Sequence, residues 1–142
     1  MIVGFTASQS GVTSTQLQQL SEAFTTLRFK EFHHGDCIGG DCLAHALVRY
    51  FKPHTKIHIH PCNIDSKRAY CYPDRIYDVK RPLVRNQDIV DVCDVLLACP
   101  AQPEEILRSG TWSTIRRGWQ KFGKDSGRVI ILYPHGTDIL CW

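Results

Sequence analysis

The sequence predicts an α/β fold, in which a mostly parallel sheet of about five strands carries helices on its faces. Two observations lead there. Short apolar, β-branched runs alternate along the chain with amphipathic stretches of about ten to fifteen residues, and that alternation is the mark of βαβ units. The run "DVLLACP" is apolar without a break and is bounded by Asp94 and Pro100, as expected of a central parallel strand covered on both faces. The 142 residues suffice for one domain with its own core, so residues 1–142 are read as a single domain.

The elements follow in order. "IVGFT" (Ile2–Thr6) is a strand, and the polar loop "ASQSGVT" follows it. A helix fits Ser14–Arg28, with Leu17, Leu20, Phe24 and Leu27 on one face, and Thr13 and Gln16 have the spacing of a capping box. "KEFHH" is the second strand and "GDCIGGD" a glycine-rich turn. Asp41 is placed to cap a helix through Phe51, buried along Leu43, Leu47, Val48 and Phe51 and stopped by Pro53. "KIHIHP" alternates as the third strand. The stretch Cys62–Arg81 has no period and reads as a loop of the kind that carries function. Pro82 suits the first turn of a helix to about Val92. "DVLLACP" is next, then a helix presenting Trp112, Ile115, Trp119 and Phe122, and "RVIILYP" closes as the last strand.

Composition narrows the function classes. Hydrophobic residues make up 43% and charged residues 22%, near the globular average, which argues against a disordered chain. A net charge of +3 suits an anionic small molecule and is too mild to argue for nucleic acid by itself. No apolar run is long enough for a bilayer, and "MIVGFTAS" lacks the basic start and long apolar stretch of an export signal. Seven cysteines, an odd number, are therefore read as reduced thiols of a cytoplasmic protein.

Such sheets bind ligands beyond the carboxyl ends of their strands, where strand order reverses. The segments leaving the strands are "TASQSG", "HHGDCIGGD", "HPCN" and "CPAQPEE" leading to "RSGTW"; nearly all short polar residues and glycines lie on this edge. The returning segments are ordinary connections. Gly35, Gly39 and Gly40 allow close backbone approach to a ligand, or simply turn the chain. Asp36 and Asp41 are candidate acceptors for sugar hydroxyls. Ser109, Gly110 and Thr111 open the last helix, where free amides and the helix dipole favour an anion; helix capping is the plainer reading. Arg85 is a candidate bidentate partner for phosphate. Thr6, Ser8, Asn86, Pro100 and Trp112 complete the candidate ligand-binding set. His58 and His60 share a strand face but lack paired zinc spacing, as do Cys37, Cys42 and His45, so no metal centre is expected. Cys37 beside His33 and His34 is a conceivable nucleophile that nothing in the spacing selects, and Cys93 and Cys99 read as buried apolar residues. No resident cofactor is expected.

"VGFTAS", "HHGDCIGGD", "RNQDIVDVCDVLLACP" and "RSGTWSTIRRG", in this order from Met1 to about Pro134, resemble the SLOG superfamily. That group joins the Smf/DprA DNA-processing proteins to the Lonely Guy phosphoribohydrolases. The resemblance implies a Rossmann-like three-layer αβα sandwich with a nucleotide or nucleotide-derived ligand at its carboxyl edge, and a homo-oligomer formed through flanking helices. Departures from the hydrolase pattern matter. Its phosphate loop, P-G-G-x-G-T-x-x-E, is represented by Gly110 and Thr111, with Arg85 near the place of the upstream arginine. Thr114 stands where the glutamate belongs, and "PAQPEEILRS" replaces P-G-G, closer to the S-G-x-x-x-T of the DprA-like branch. Thr6-Ala7-Ser8-Gln9 stands where relatives often carry T-G-S-R.

Three functions compete on these grounds. The first is binding of a nucleotide or nucleotide-derived ligand for sensing or sequestration. The second is N-glycoside hydrolysis by another carboxylate, Asp36, Glu104 or Glu105. The third is DprA-like nucleic-acid binding through Arg108, Arg116, Arg117, Lys121 and Lys124.

Overall fold

A computed structural model describes residues 1–136. Strand β1 (Ile2–Ala7) leads to helix α1 (Ser14–Thr26), β2 (Glu31–His34), α2 (Gly40–Phe51) and β3 (Lys56–Ile59). After a short 3-10 turn at Asp65–Lys67 come β4 (Arg75–Ile76), α3 (Pro82–Val92), β5 (Val95–Cys99), α4 (Gly110–Phe122) and β6 (Val129–Ile131). The six strands form one sheet in the order β4-β3-β2-β1-β5-β6, and every pairing is parallel. The architecture is a Rossmann-like α/β sandwich. Strand order reverses between β1 and β5, which places the switch point there.

Alternation along the strands divides the core into two layers. On one face Val3 and Phe5 of β1, Phe32 of β2, Ile57 and Ile59 of β3, and Leu97 and Cys99 of β5 pack with Leu20 and Phe24 of α1 and Ala44 and Val48 of α2. The rings of Phe24 and Phe32 meet edge-on at 5.4 Å. On the other face Leu96 packs with Val90 and Cys93, and Ala98 packs with Trp112 and Ile115. Cys93 and Cys99 are buried as small apolar groups, and burial pushes their thiols up to about 11 and about 12. Among the described residues no helix is long and apolar enough to cross a membrane.

Several expectations change in detail. The sheet has six strands, because Cys62–Arg81 contains β4, a two-residue edge strand too short to show a period. Helix α1 ends at Thr26, and Leu17 faces outward while Gln16 is buried in its place. Gln16 completes the expected capping box with Thr13, and its amide donates to the Pro100 and Leu132 carbonyls at 2.8 Å each. Helix α2 is capped by Gly39, not Asp41, and its buried stripe runs through Ala44, His45 and Val48.

Candidate functional site: a cavity at the switch point

The sheet's carboxyl edge opens into a cavity of about 300 Å³ between the segments that leave β1, β2 and β5. A cavity of this size holds one small organic ligand. Thr6 and Ser8 line it from β1, Gly35 and Asp41 from the β2–α2 connection, Arg85 and Asn86 from α3, and Ser109, Gly110 and Thr111 from the start of α4. The sequence had marked all nine.

Helix α4 begins where its capping residue sits. The Ser109 hydroxyl accepts the Trp112 amide at 3.1 Å, and the Ser109 carbonyl accepts the Ser113 amide at 2.8 Å. The Gly110 and Thr111 amides precede those bonds and meet no acceptor among the described residues. They are donors at the positive end of a helix of 13 residues, opening on the cavity.

Across from them, Arg85 is almost wholly buried. Its Nη1 donates to the carbonyls of Gly35 (2.6 Å) and His60 (3.0 Å), and its Nε donates to Asn86 Oδ1 at 2.8 Å. Nη2 reaches only the Cys37 sulfur, at 3.6 Å, a weak acceptor that leaves donor capacity for the cavity. Gly35 is glycine for this arrangement, since a Cβ there would overlap the guanidinium. Gly39 lies at φ +86° with the Gln9 carbonyl against it. These glycines thus make room for the protein's own groups rather than for a ligand, and Gly39 does not line the cavity.

Asp41 Oδ2 accepts the Gly35 and Cys37 amides at 3.1 and 3.2 Å, while Oδ1 is buried without a partner. Burial pushes its carboxyl up to about 6, against the pull of Arg85 and the two amides. Burial likewise holds the Cys37 thiol up at about 11, which leaves it no nucleophile at neutral pH. Lys67 and Arg108 add positive charge to the lining, where Asp41 is the acidic side chain among the described residues. The field inside favours an anion.

Other expected residues lie elsewhere. Asp36 is wholly buried away from the cavity at φ +54°, with Oδ2 held by Arg68 at 3.1 and 3.2 Å and Oδ1 by the Cys71 amide at 2.8 Å. Glu104 and Glu105 are exposed, and Glu105 pairs with Arg116 at 3.1 Å. None of the three carboxylates proposed for hydrolysis lines the cavity. Trp112 turns into the core and donates through Nε1 to the Gln102 carbonyl, and Pro100 is buried with its carbonyl taken by Gln16. The basic face of α4 is occupied too: Lys121 caps the Val90, Asp91 and Cys93 carbonyls at 2.8–2.9 Å, and Arg117 donates to Gln87. Sequence reading missed Lys67 and Gln102 in the lining. Lys67 sits in the 3-10 turn of an aperiodic stretch, and only its charge signalled it.

Two side-chain groups outside the cavity have metal-ligand types: His34, His45 and Cys71, and Glu31, His33 and His58. In the first the protons are already assigned. The Asp36 amide donates to His34 Nδ1 at 2.9 Å, so neutral His34 carries its proton on Nε2 and gives it to His45 Nδ1 at 2.9 Å. A metal on both nitrogens would need that proton removed, and burial pushes the Cys71 thiol away from its thiolate form. This group is a hydrogen-bonded chain, not a ligand set.

No family model matches the chain, and no curated protein matches it in sequence. Among solved structures it is similar to a molybdenum cofactor binding protein from the phototrophic bacterium Rippkaea orientalis. That match has a TM-score of 0.66 and 16% identity over 98% of this chain and 78% of the other. It is also similar to TM1055, known from an X-ray structure, with a TM-score of 0.59 and 16% identity over 89% and 75% of the two chains. At this identity the likeness is one of fold.

Proposed function

We propose that the protein binds a nucleotide or nucleotide-derived ligand, with a phosphate at the start of α4 and the remainder in the cavity, as a sensor or sequestering protein. The observation that carries this reading is the pair of free Gly110 and Thr111 amides facing a cavity that also holds Arg85, Lys67 and Arg108. The SLOG resemblance supports it, with Arg85, Gly110 and Thr111 at the matching positions. The Rippkaea protein's ligand, a molybdenum cofactor, widens the range of molecules to try. Calorimetry of the purified chain with AMP, ADP, ADP-ribose and molybdenum cofactor is the test. One of them is expected to bind at one per chain, at least tenfold more weakly to the Lys67→Ala, Arg108→Ala double variant. Absence of binding across the panel, or an affinity indifferent to those substitutions, sinks the proposal.

A hydrolytic reading now passes to Asp41, whose buried carboxyl near 6 is in the range of a general acid. Release of free base from a nucleoside monophosphate, abolished in Asp41→Asn, is its signature. The nucleic-acid reading stays behind the other two: Arg116 pairs with Glu105, and Arg117 and Lys121 are held by acceptors within the protein, which leaves Arg108 and Lys124 among its five residues. The expected homo-oligomer, formed through helices that flank the sheet, is part of this reading, and light scattering would report its size.

A further inference from the structure

The half of the sheet opposite α1 and α2, along β2 and β3, bears an unusual set of side chains. Glu31 and His33 are two apart on β2 and so share a face, and His33 lies in register with His58 on β3. His33 Nε2 is 2.9 Å from Glu31 Oε1, and His58 Nε2 is 3.6 Å from the same oxygen. All three ligand atoms lie within 4.8 Å of one another. Two imidazoles and one carboxylate that converge like this are the donors of a three-ligand site for a first-row divalent ion, which leaves further positions for water.

The decisive point is the far nitrogen of each ring. A ring that binds metal through Nε2 must carry its proton on Nδ1 and needs an acceptor there. His33 Nδ1 faces His60 Nε2 at 2.8 Å, and His58 Nδ1 faces the Tyr77 hydroxyl at 3.0 Å. Both partners can accept, the Tyr77 hydroxyl directly and His60 Nε2 once the His60 proton sits on Nδ1, as the His33 Nε2 proton leaves for the ion. At His34 the partner is the Asp36 backbone amide, a donor that cannot change role. The Tyr77 ring also lies flat on His60, 4.2 Å away and 7° from parallel, which fixes both supports. Glu31 and His58 are partly exposed, giving an ion a route in and an open coordination position. The rings of His33 and His58 are stacked at 4.3 Å and 28° apart, so ion binding requires His58, the more exposed, to rotate until its lone pair meets that of His33. Arg75 lies over the Tyr77 ring at 4.7 Å and opposes a second positive charge. Its side is exposed to water, which screens it.

We propose that Glu31, His33 and His58 bind a divalent first-row transition ion, zinc by donor set, with His60 and Tyr77 holding the two imidazoles in their metal-binding tautomers. The site is separate from the switch-point cavity and does not depend on the ligand proposed there.

Cobalt(II) serves as the probe on the full chain after treatment with a chelator. One equivalent is expected to give visible ligand-field bands of low coordination number, displaced by zinc, without the near-ultraviolet charge-transfer band that a thiolate ligand adds. Glu31→Gln and His58→Gln should each weaken binding at least tenfold, and Tyr77→Phe, which removes only a supporting oxygen, about tenfold. His45→Ala and Cys71→Ser should leave it unchanged. Glu31 is partly exposed at the start of its strand, so its variant carries the test even if His58→Gln fails to fold. Silent spectra at saturating cobalt, a thiolate band, or affinity that survives Glu31→Gln would each overturn the proposal.

Discussion

The switch-point cavity and the histidine-bearing face of β2 and β3 are both polar, but they treat hydrogen bonds in opposite ways. At the cavity the chain leaves capacity open: two amides of α4 without acceptors, Asp41 Oδ1 without a donor, and Arg85 Nη2 with only a sulfur. On the β2–β3 face His33 uses both ring nitrogens, and His58 is met on both sides. Buried polar groups cost free energy unless paired. A region where they stay unpaired is one where folding alone does not complete the structure. A region where they pair with one another is already complete, and an ion entering it replaces a proton rather than filling a vacancy.

Arg85 belongs to both regions, since it joins the Gly35 and His60 carbonyls. Arg85→Met should therefore give the largest effect, a loss of about 3–5 kcal/mol in denaturant unfolding, because it strips a buried charge from its carbonyl partners and from Asp41. Unchanged stability would mean that the cavity wall stands without the guanidinium, and the comparison would break at its common point.

The regions should also titrate with opposite sign. Asp41 has its folded carboxyl up at about 6 against an ordinary 3.8, so the folded state holds the proton longer. Its favourable contribution is full below about 3.8, falls as pH rises to about 6 and is lost above. The span is about 3 kcal/mol at roughly 1.4 kcal/mol per unit. The histidines run the other way. Burial lowers His33, His58 and His60, the last to about 3. Their neutral forms support the fold above 6.5, and that support is lost as acid forces protons onto them. Unfolding free energy measured from pH 3.5 to 7 should thus fall more steeply toward acid in Asp41→Asn than in the parent. Parallel curves would remove Asp41 from the account.

The fold was legible because its signals are local and repeated. "DVLLACP", the capping box at Thr13 and Gln16, and Pro82 at the first turn of α3 each fix one element by short-range chemistry. β4 escaped because two residues show no period and its pairing with β3 is decided by the sheet. The cavity was legible as an edge, through the rule that ligands gather beyond strand ends, and nine lining residues follow from it. Individual directions were not. Asp36 and Asp41 are both short acids in one glycine-rich turn, and nothing in "GDCIGGD" says which faces inward. Arg68, 32 residues away, takes Asp36. Trp112 was ambiguous for the same reason: a helix start places one residue toward a ligand and the next toward the core. Glu31, His33 and His58 carried a signal in "EFHH" and "HIH", but reading it needs the register of β2 against β3.

Ser109→Ala tests the cavity rim at a smaller scale. Losing the cap on the Trp112 amide should cost about 1 kcal/mol in thermal unfolding. Ligand affinity should drop further than stability does, because the same residue lines the cavity and its cap sets the first turn whose amides face the ligand. Equal losses would mark Ser109 as a cap alone.

The smallest effect on stability is the sharpest on function. Gly110 is the first residue of α4, and a Cβ built on it meets nothing within 4 Å. Gly110→Ala should therefore leave unfolding unchanged or raise stability by about 0.4–1 kcal/mol through a less disordered unfolded chain. Gly110→Leu should fold equally well yet place a branched side chain at the amides meant for a phosphate, and lower ligand affinity at least tenfold in the same calorimetric titration. A glycine is not needed there for the backbone, unlike Gly39, whose positive φ and close carbonyl leave no choice. If both substitutions prove neutral for stability and binding alike, the open ground above α4 is bare surface, and the contrast between the two polar regions no longer points to a ligand.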